Sequence, residues 1–272
     1  MLRVDEIPMV CISLGRRPDR WAIFQGYATA AGLNVKRLSA VDAQTFDAVN
    51  HPAVSLGTAH NIRFKKRRSH YEIDVPGAVG ASLSHFKAWE QLRDSAAPAL
   101  IVFEDDAPVI PDFKHRLARV LQELPAKWDI IQFQLTYWDG GITGCDPIPG
   151  QEPWQLCDAL QGAYAYMISQ EGARKMLARA YPIELHVDAY MSYMSKMGFI
   201  RMIWHPLIDI PGPDLDSDIN HGMMGVMAVP TDMRKAGVVA LSEKGVWGLV
   251  TMAAVVGGLL ALAYAVPKHK GA

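Results

Sequence analysis

Ala99-Leu100-Ile101-Val102-Phe103-Glu104-Asp105-Asp106 is an apolar run that ends in three consecutive carboxylates. The apolar segment reads as a strand that runs into the carboxylates. Outward from it, further strands are predicted over residues 8–14, 129–134 and 164–168. Helices are predicted over residues 17–31, 80–93, 112–124 and 170–179. Alternation of strand and helix is the pattern of an α/β domain. Asp112, after Pro111, is the expected N-cap of the third helix, and Pro125 closes it. Residues 50–75 show poor periodicity and read as a long surface loop, as do residues 140–154 and 209–225.

The chain has 272 residues, 50% of them hydrophobic, which is enough to bury a sizeable core. A formal net charge of -1 gives no electrostatic case for nucleic acid as a partner. The three cysteines, Cys11, Cys145 and Cys157, form no CxxC pair and are odd in number, so they read as reduced thiols, which favours a cytosol-facing domain. The N-terminus reads as lacking a signal peptide, because its apolar run is short and stops at Arg16 and Arg17. Residues 245–266 carry no charge, and about 20 apolar residues cross a bilayer, so a transmembrane anchor is expected there. The alternative is a buried core helix. The expected organisation is a catalytic domain at residues 1–230, a linker at 231–244, the anchor at 245–266 and a short tail at 267–272. Ala253, Gly257, Ala261 and Ala265 give the anchor a small-residue face of the kind that pairs helices in a homodimer.

Three adjacent acids repel one another, and a divalent cation removes that penalty. Carboxylate oxygens suit Mg²⁺ or Mn²⁺, which then bridge substrate phosphates. In an extended segment Glu104 and Asp106 would share one face and Asp105 the other. The plain alternative is a solvated acidic strand end.

The chain resembles glycosyltransferase family 25, which includes bacterial lipopolysaccharide sugar transferases and procollagen galactosyltransferases. The resemblance is carried by blocks in a fixed order. Ile12-Ser13-Leu14-Gly15-Arg16-Arg17-Pro18-Asp19-Arg20 is close to INLDRRPDR, and Ala40-Val41-Asp42-Ala43 to AVDG. Gly77-Ala78-Val79-Gly80-Ala81-Ser82-Leu83-Ser84-His85 is like GEIGCxLSH, and the acidic strand end follows. Downstream, Gly162-Ala163-Tyr164-Ala165-Tyr166 and Val187-Asp188 match later blocks. Ser13, Gly15, Ala78 and Ala81 depart from the pattern, and Gly15 removes a carboxylate from the first block.

The resemblance implies a GT-A-like nucleotide-sugar-binding fold, a UDP-sugar donor, a glycan or protein acceptor and an inverting reaction with Mn²⁺ or Mg²⁺. It implies donor contacts at Leu14, Arg17, Arg20, Asp42, Glu104 and Asp105. Glu104 and Asp106 are the expected metal ligands, with His221 a further nitrogen ligand. His85, on a helix, reads as a structural hydrogen-bond partner. Asp188 is the expected general base, and the N-cap of the helix after it is the competing reading. The basic run Arg63-Phe64-Lys65-Lys66-Arg67-Arg68 reads as a solvated loop, an attractor of anionic lipid or a contact for an anionic acceptor. Two rival functions stay open: an inactive membrane-tethered nucleotide-sugar-binding protein, and a metal-dependent phosphohydrolase.

Overall fold

The computed structural model describes residues 2–69, 71–134, 137–138, 141–142, 144–159 and 162–212. The chain divides into units at residues 1–229 and 230–272, and all described residues belong to the first. The expected linker and anchor, together with His221, lie outside the described residues.

The elements run β1 (Met9–Ser13), α1 (Pro18–Ala30), β2 (Lys36–Ser39), α2 (Leu56–Phe64), α3 (Pro76–Arg93), β3 (Ala99–Glu104) and α4 (Phe113–Val120). They continue through β4 (Ile130–Gln132), β5 (Tyr137–Trp138), β6 (Gly141–Ile142), β7 (Cys145–Pro147) and β8 (Gln155–Cys157). The rest are β9 (Ala165–Ser169), α5 (Gln170–Leu177), α6 (Val187–Lys196) and β10 (Met202–Trp204). Eight strands form one mixed sheet in the order β2-β1-β3-β9-β4-β10-β8-β7, and β5 pairs with β6 separately. β2, β1 and β3 are parallel, while β9 runs against both β3 and β4. This mixed α/β architecture fits a nucleotide-sugar-binding domain.

The sheet is covered on both faces, and side-chain alternation sorts its residues between two cores. Val10, Ile12, Leu100, Val102 and Tyr166 pack with Val79, Phe86 and Trp89 of α3 on one face. Met9, Cys11, Ile101 and Phe103 pack with Phe24 of α1 and Phe113 and Leu117 of α4 on the other. α1 and α3 therefore flank β1 and β3 from opposite sides.

Local chemistry sets the element ends. Pro18 and Pro76 stand at the first helical positions, where the missing N–H costs nothing. That is why α3 begins at Pro76 rather than at residue 80. Gly32, at φ 63°, closes α1 in the left-handed region. Gly80 is a poor helix former within α3, yet a Cβ there would lie 2.6 Å from the Val41 carbonyl. The glycine lets α3 meet the 41–43 turn at van der Waals distance.

Three expectations need correction. Residues 50–75 are not all loop, since α2 lies within them, capped by the Ser55 hydroxyl accepting from the Thr58 N–H at 3.1 Å. The helix escapes pattern reading because only Thr58 and Ile62 of it are buried. Asp112 does stand at the N-cap of α4, but its carboxylate accepts from Arg116 Nε at 2.7 Å and caps no backbone N–H. The cysteines are not all thiols: Cys145 and Cys157 are joined, at S–S 2.01 Å, because β7 and β8 set them directly opposite in register. Cys11 is the free one, and the ground for expecting a cytosol-facing domain falls away with the pairing.

Alkylation in denaturant without reductant is predicted to modify Cys11 alone, and reduction should expose Cys145 and Cys157. Cys157→Ser should lower unfolding stability by about 2–4 kcal/mol in a urea titration. Alkylation of every cysteine before reduction would refute the pairing.

Candidate functional site

β1 and β3 are parallel neighbours, with Ile12 in register with Glu104. From β1 the chain goes through α1 to β2 on one side, then returns through α3 to β3 on the other. Such a reversal of strand order opens a crevice beyond the carboxyl ends of the strands, where open α/β sheets bind ligands. A cavity of about 380 Å³ lies there, lined by Leu14, Arg16, Arg20, Asp42, Gln44, Pro76, Gly77, Ser84, His85, Glu104, Asp105 and Asp106 among others.

The acidic triplet does not alternate as an extended segment would. β3 ends at Glu104, and Asp105 and Asp106 enter a turn, where both reach one cation. Arg20, on α1, places Nε 2.7 Å from Asp105 Oδ1 and Nη2 2.9 Å from Asp106 Oδ2. The guanidinium is buried, with its side chain only 7% exposed. Arg20 is thus a bracket for the acids, and it also lines the cavity.

Glu104 turns the other way. Its Oε1 lies 3.0 Å from His85 Nε2, and His85 Nδ1 lies 2.8 Å from the Tyr166 hydroxyl. That hydroxyl accepts from Trp89 Nε1 at 2.8 Å. Since Tyr166 receives the indole proton, its own proton is free to point at His85 Nδ1. With that arrangement a neutral His85 ring donates from Nε2 to Glu104. The chain of bonds crosses α3, β9 and the end of β3. His85 is part of this chain of bonds and also lines the cavity.

Asp106 carries the strongest electrostatic signal. Burial, then the neighbouring Glu104, push its carboxyl up to about 7 in spite of Arg20. Its Oδ1 is buried without a hydrogen-bond partner. Asp105 is also raised, chiefly by burial, with Arg20 opposing. No cluster of three or more His, Cys, Asp or Glu suited to a metal ion occurs among the described residues. A buried, unpartnered carboxylate oxygen beside Glu104 nevertheless fits a hard cation that takes its remaining ligands from phosphate and water.

The remaining expected residues are scattered. Leu14 and Asp42 line the cavity. The Asp42 carboxylate caps the short turn Ala43–Thr45 and pairs with Arg16 at 3.0 Å. Arg17 pairs with Asp19 at 2.9 Å and lines no part of the cavity. Asp188 is not an N-cap: His186 holds that position, and Asp188 sits one residue inside α6. Its Oδ2 accepts from the Gly162 N–H at 2.7 Å and its Oδ1 from the Ala189 N–H at 2.8 Å. Gly162, at φ 87°, precedes Tyr164, whose carbonyl accepts from the Glu104 N–H at 2.8 Å. Asp188 thus holds the chain entering β9, beside the end of β3 where the acids sit.

Sequence reasoning missed Arg16, Gln44 and the start of α3 as cavity wall. The signal for the last was present in Val75-Pro76-Gly77, a helix start with no side chain to cap it.

The raised Asp106 carboxyl has a stability consequence. A folded pKa above the unfolded value favours the fold at low pH, and that contribution is lost as pH rises toward about 7. Asp106→Asn should therefore gain melting temperature relative to the parent as pH goes from acid to neutral in metal-free buffer. Thermal melts across that range check it, and a difference that shrinks with pH contradicts the placement of this charge.

Comparison with known proteins follows the same residues. Residues 6–139 match the model of glycosyltransferase family 25 (LPS biosynthesis protein). The chain is 28% identical over 204 residues to the probable inactive glycosyltransferase 25 family member 3 of Rattus norvegicus, covering 70% of this chain and 33% of the relative. It is 29% identical to a glycosyltransferase 25 family member of Aedes aegypti, covering 67% of this chain and 30% of the relative. Procollagen galactosyltransferase 1-A of Xenopus laevis is 30% identical over 43% of this chain and 20% of the relative. The chain thus spans about a third of the length of the first of these relatives. Residues 6–139 constitute a glycosyltransferase family 25 domain, as the order of the motifs implies.

Proposed function

We propose that the chain is a metal-dependent inverting hexosyltransferase that moves galactose or glucose from a UDP-sugar to a glycan or protein acceptor. The observation that carries this reading is the crevice beyond β1 and β3, with the unpartnered Asp106 Oδ1 buried in its wall. The uncapped start of α3 borders the same crevice, and its backbone N–H groups and dipole favour an anionic diphosphate.

In this reading Glu104 and Asp106 hold Mn²⁺ or Mg²⁺. When bound, the ion offsets the negative charge that grows on the departing diphosphate. Arg20 holds Asp105 and Asp106 at the wall of the crevice before any cation arrives. His85 fixes the orientation of Glu104 through its Nε2 contact. Asp42 and Arg16 form the wall for the nucleoside end. Asp188 is the proposed base, and each of its oxygens keeps a lone pair beyond its backbone bond. The apolar residues 245–266 are proposed to anchor the domain to a membrane.

A second reading has support of its own. The relatives from Rattus norvegicus and Mus musculus are named inactive, and Arg20 already compensates two of the three acids here. A domain that binds the nucleotide sugar without turnover would show the same constellation.

Release of UDP from a panel of UDP-sugars, with and without Mn²⁺ and candidate acceptors, separates the readings. Acceptor-stimulated, metal-dependent release is expected, and tight binding with no release supports the inactive domain. Asp188→Asn should reduce turnover on the order of a hundredfold while UDP-sugar affinity is kept. Near-normal turnover in that variant removes Asp188 from the role of base.

A further inference from the structure

The segment between β2 and α3 carries a surface that the proposed chemistry does not use. α2 buries Thr58 and Ile62, one turn apart on a single face. The opposite face carries Leu56, His60 and Phe64, each four residues from the next. Leu56 is 91% exposed and Phe64 61%, the two most exposed large hydrophobics among the described residues. The rings of His60 and Phe64 lie 4.7 Å apart, centroid to centroid, and form one ledge. A single exposed apolar residue needs no explanation. Here they occupy the outward face, which a helix on a globular surface ordinarily makes polar.

The C-terminal end of α2, where Phe64 stands, is strongly basic. Arg63, Lys65 and Lys66 are exposed. Arg67 and Arg68 are compensated by Asp74 and Glu72, while Lys65 and Lys66 make no ion pair among the described residues. On a chain of net charge -1 this is a local concentration of positive charge. The segment is pinned: the Ser55 N–H donates to the Ile183 carbonyl at 3.2 Å, and the His186 N–H donates to the Tyr71 carbonyl at 3.0 Å. The patch is therefore presented on a fixed helix.

We propose that the outward face of α2 docks on an anionic lipid bilayer, with Leu56 and Phe64 entering the boundary between headgroups and acyl chains while Arg63, Lys65 and Lys66 meet the anionic headgroups. The pairing of features selects the partner. A soluble polyanion engages the cations but leaves Leu56 and Phe64 in water. A surface that is anionic outside and apolar beneath engages both. The proposal is independent of the glycosyltransferase reading, and its test involves no turnover.

The test is amine-reactive footprinting of the full chain, read by mass spectrometry at Lys65 and Lys66 against exposed Lys127 as internal reference. Vesicles of phosphatidylcholine with phosphatidylserine should slow labelling of Lys65 and Lys66 about fivefold or more relative to Lys127. Vesicles of phosphatidylcholine alone should not, and high salt should restore labelling. Leu56→Ser with Phe64→Ser should lose the protection with unchanged thermal stability, since neither side chain is buried. Arg63→Glu, which leaves both reporter lysines intact, should weaken it independently. Unprotected lysines on the phosphatidylserine vesicles overturn the proposal. So does equal protection by soluble heparin that survives the double serine variant, which would make the patch a polyanion site.

Discussion

The rest of the site depends on one buried guanidinium. Consecutive carboxylates at the end of a strand inside a covered sheet are unstable together, and Arg20 meets two of them at 2.7 and 2.9 Å. Burying ions costs several kcal/mol each, so such a bracket is kept only where removing either side would leave an unpaired buried charge. Because Arg20 belongs to α1 and the acids to the end of β3, the ion pairs fix how α1 lies across the parallel strands. Phe24, one turn further along α1, packs its ring 5.5 Å from that of Phe103, just before the acids. Apolar packing and charge pairing therefore point to the same placement of the helix.

The other face is tied by a different kind of interaction. Glu104 is reached through His85, Tyr166 and Trp89, a chain of hydrogen bonds whose inner members are buried. Burial pushes the Tyr166 hydroxyl well above its ordinary pKa, so it stays a proton donor. Each carboxylate of the triplet is thus addressed from one side of the sheet, Asp105 and Asp106 by α1 and Glu104 by α3. The turn after β3 directs the side chains that an extended strand would have split by alternation alone.

Strands β1, β3, β4 and β9 were legible because each is an apolar run buried on both faces, and helices α1, α4 and α5 because Pro, Gly and capping residues mark their ends. β2 was not legible: Lys36-Arg37-Leu38-Ser39 buries Leu38 alone and pairs only at the edge of the sheet. The disulfide was invisible for a related reason, since it depends on a register between β7 and β8 that no local pattern encodes. Of the candidate site, the acids were readable from the sequence, and Arg20 from the family block, but not its pairing with Asp105 and Asp106. A basic residue at a strand end reads as a contact for an anionic ligand. Only burial shows that its anions are already supplied by the chain.

That distinction bears on how the motif relates to activity. Asp105 is held by Arg20, and Glu104 is held by His85, so both have work in the fold whether or not a sugar is transferred. Replacing either by an apolar residue would strand a buried partner, which costs about 3–5 kcal/mol for an ion pair. A descendant that loses turnover therefore has reason to keep these acids, and their presence in a chain speaks first of its folding. Asp106 differs in one atom. Its Oδ2 serves Arg20, but its Oδ1 is buried with no partner, and the carboxyl is held at about 7 by that burial and by Glu104. An orphaned oxygen lowers stability and is not explained by the needs of the fold. Asp106 Oδ1 is accordingly the atom in the triplet that the folding contacts leave unanswered, and the atom on which the proposed metal role rests.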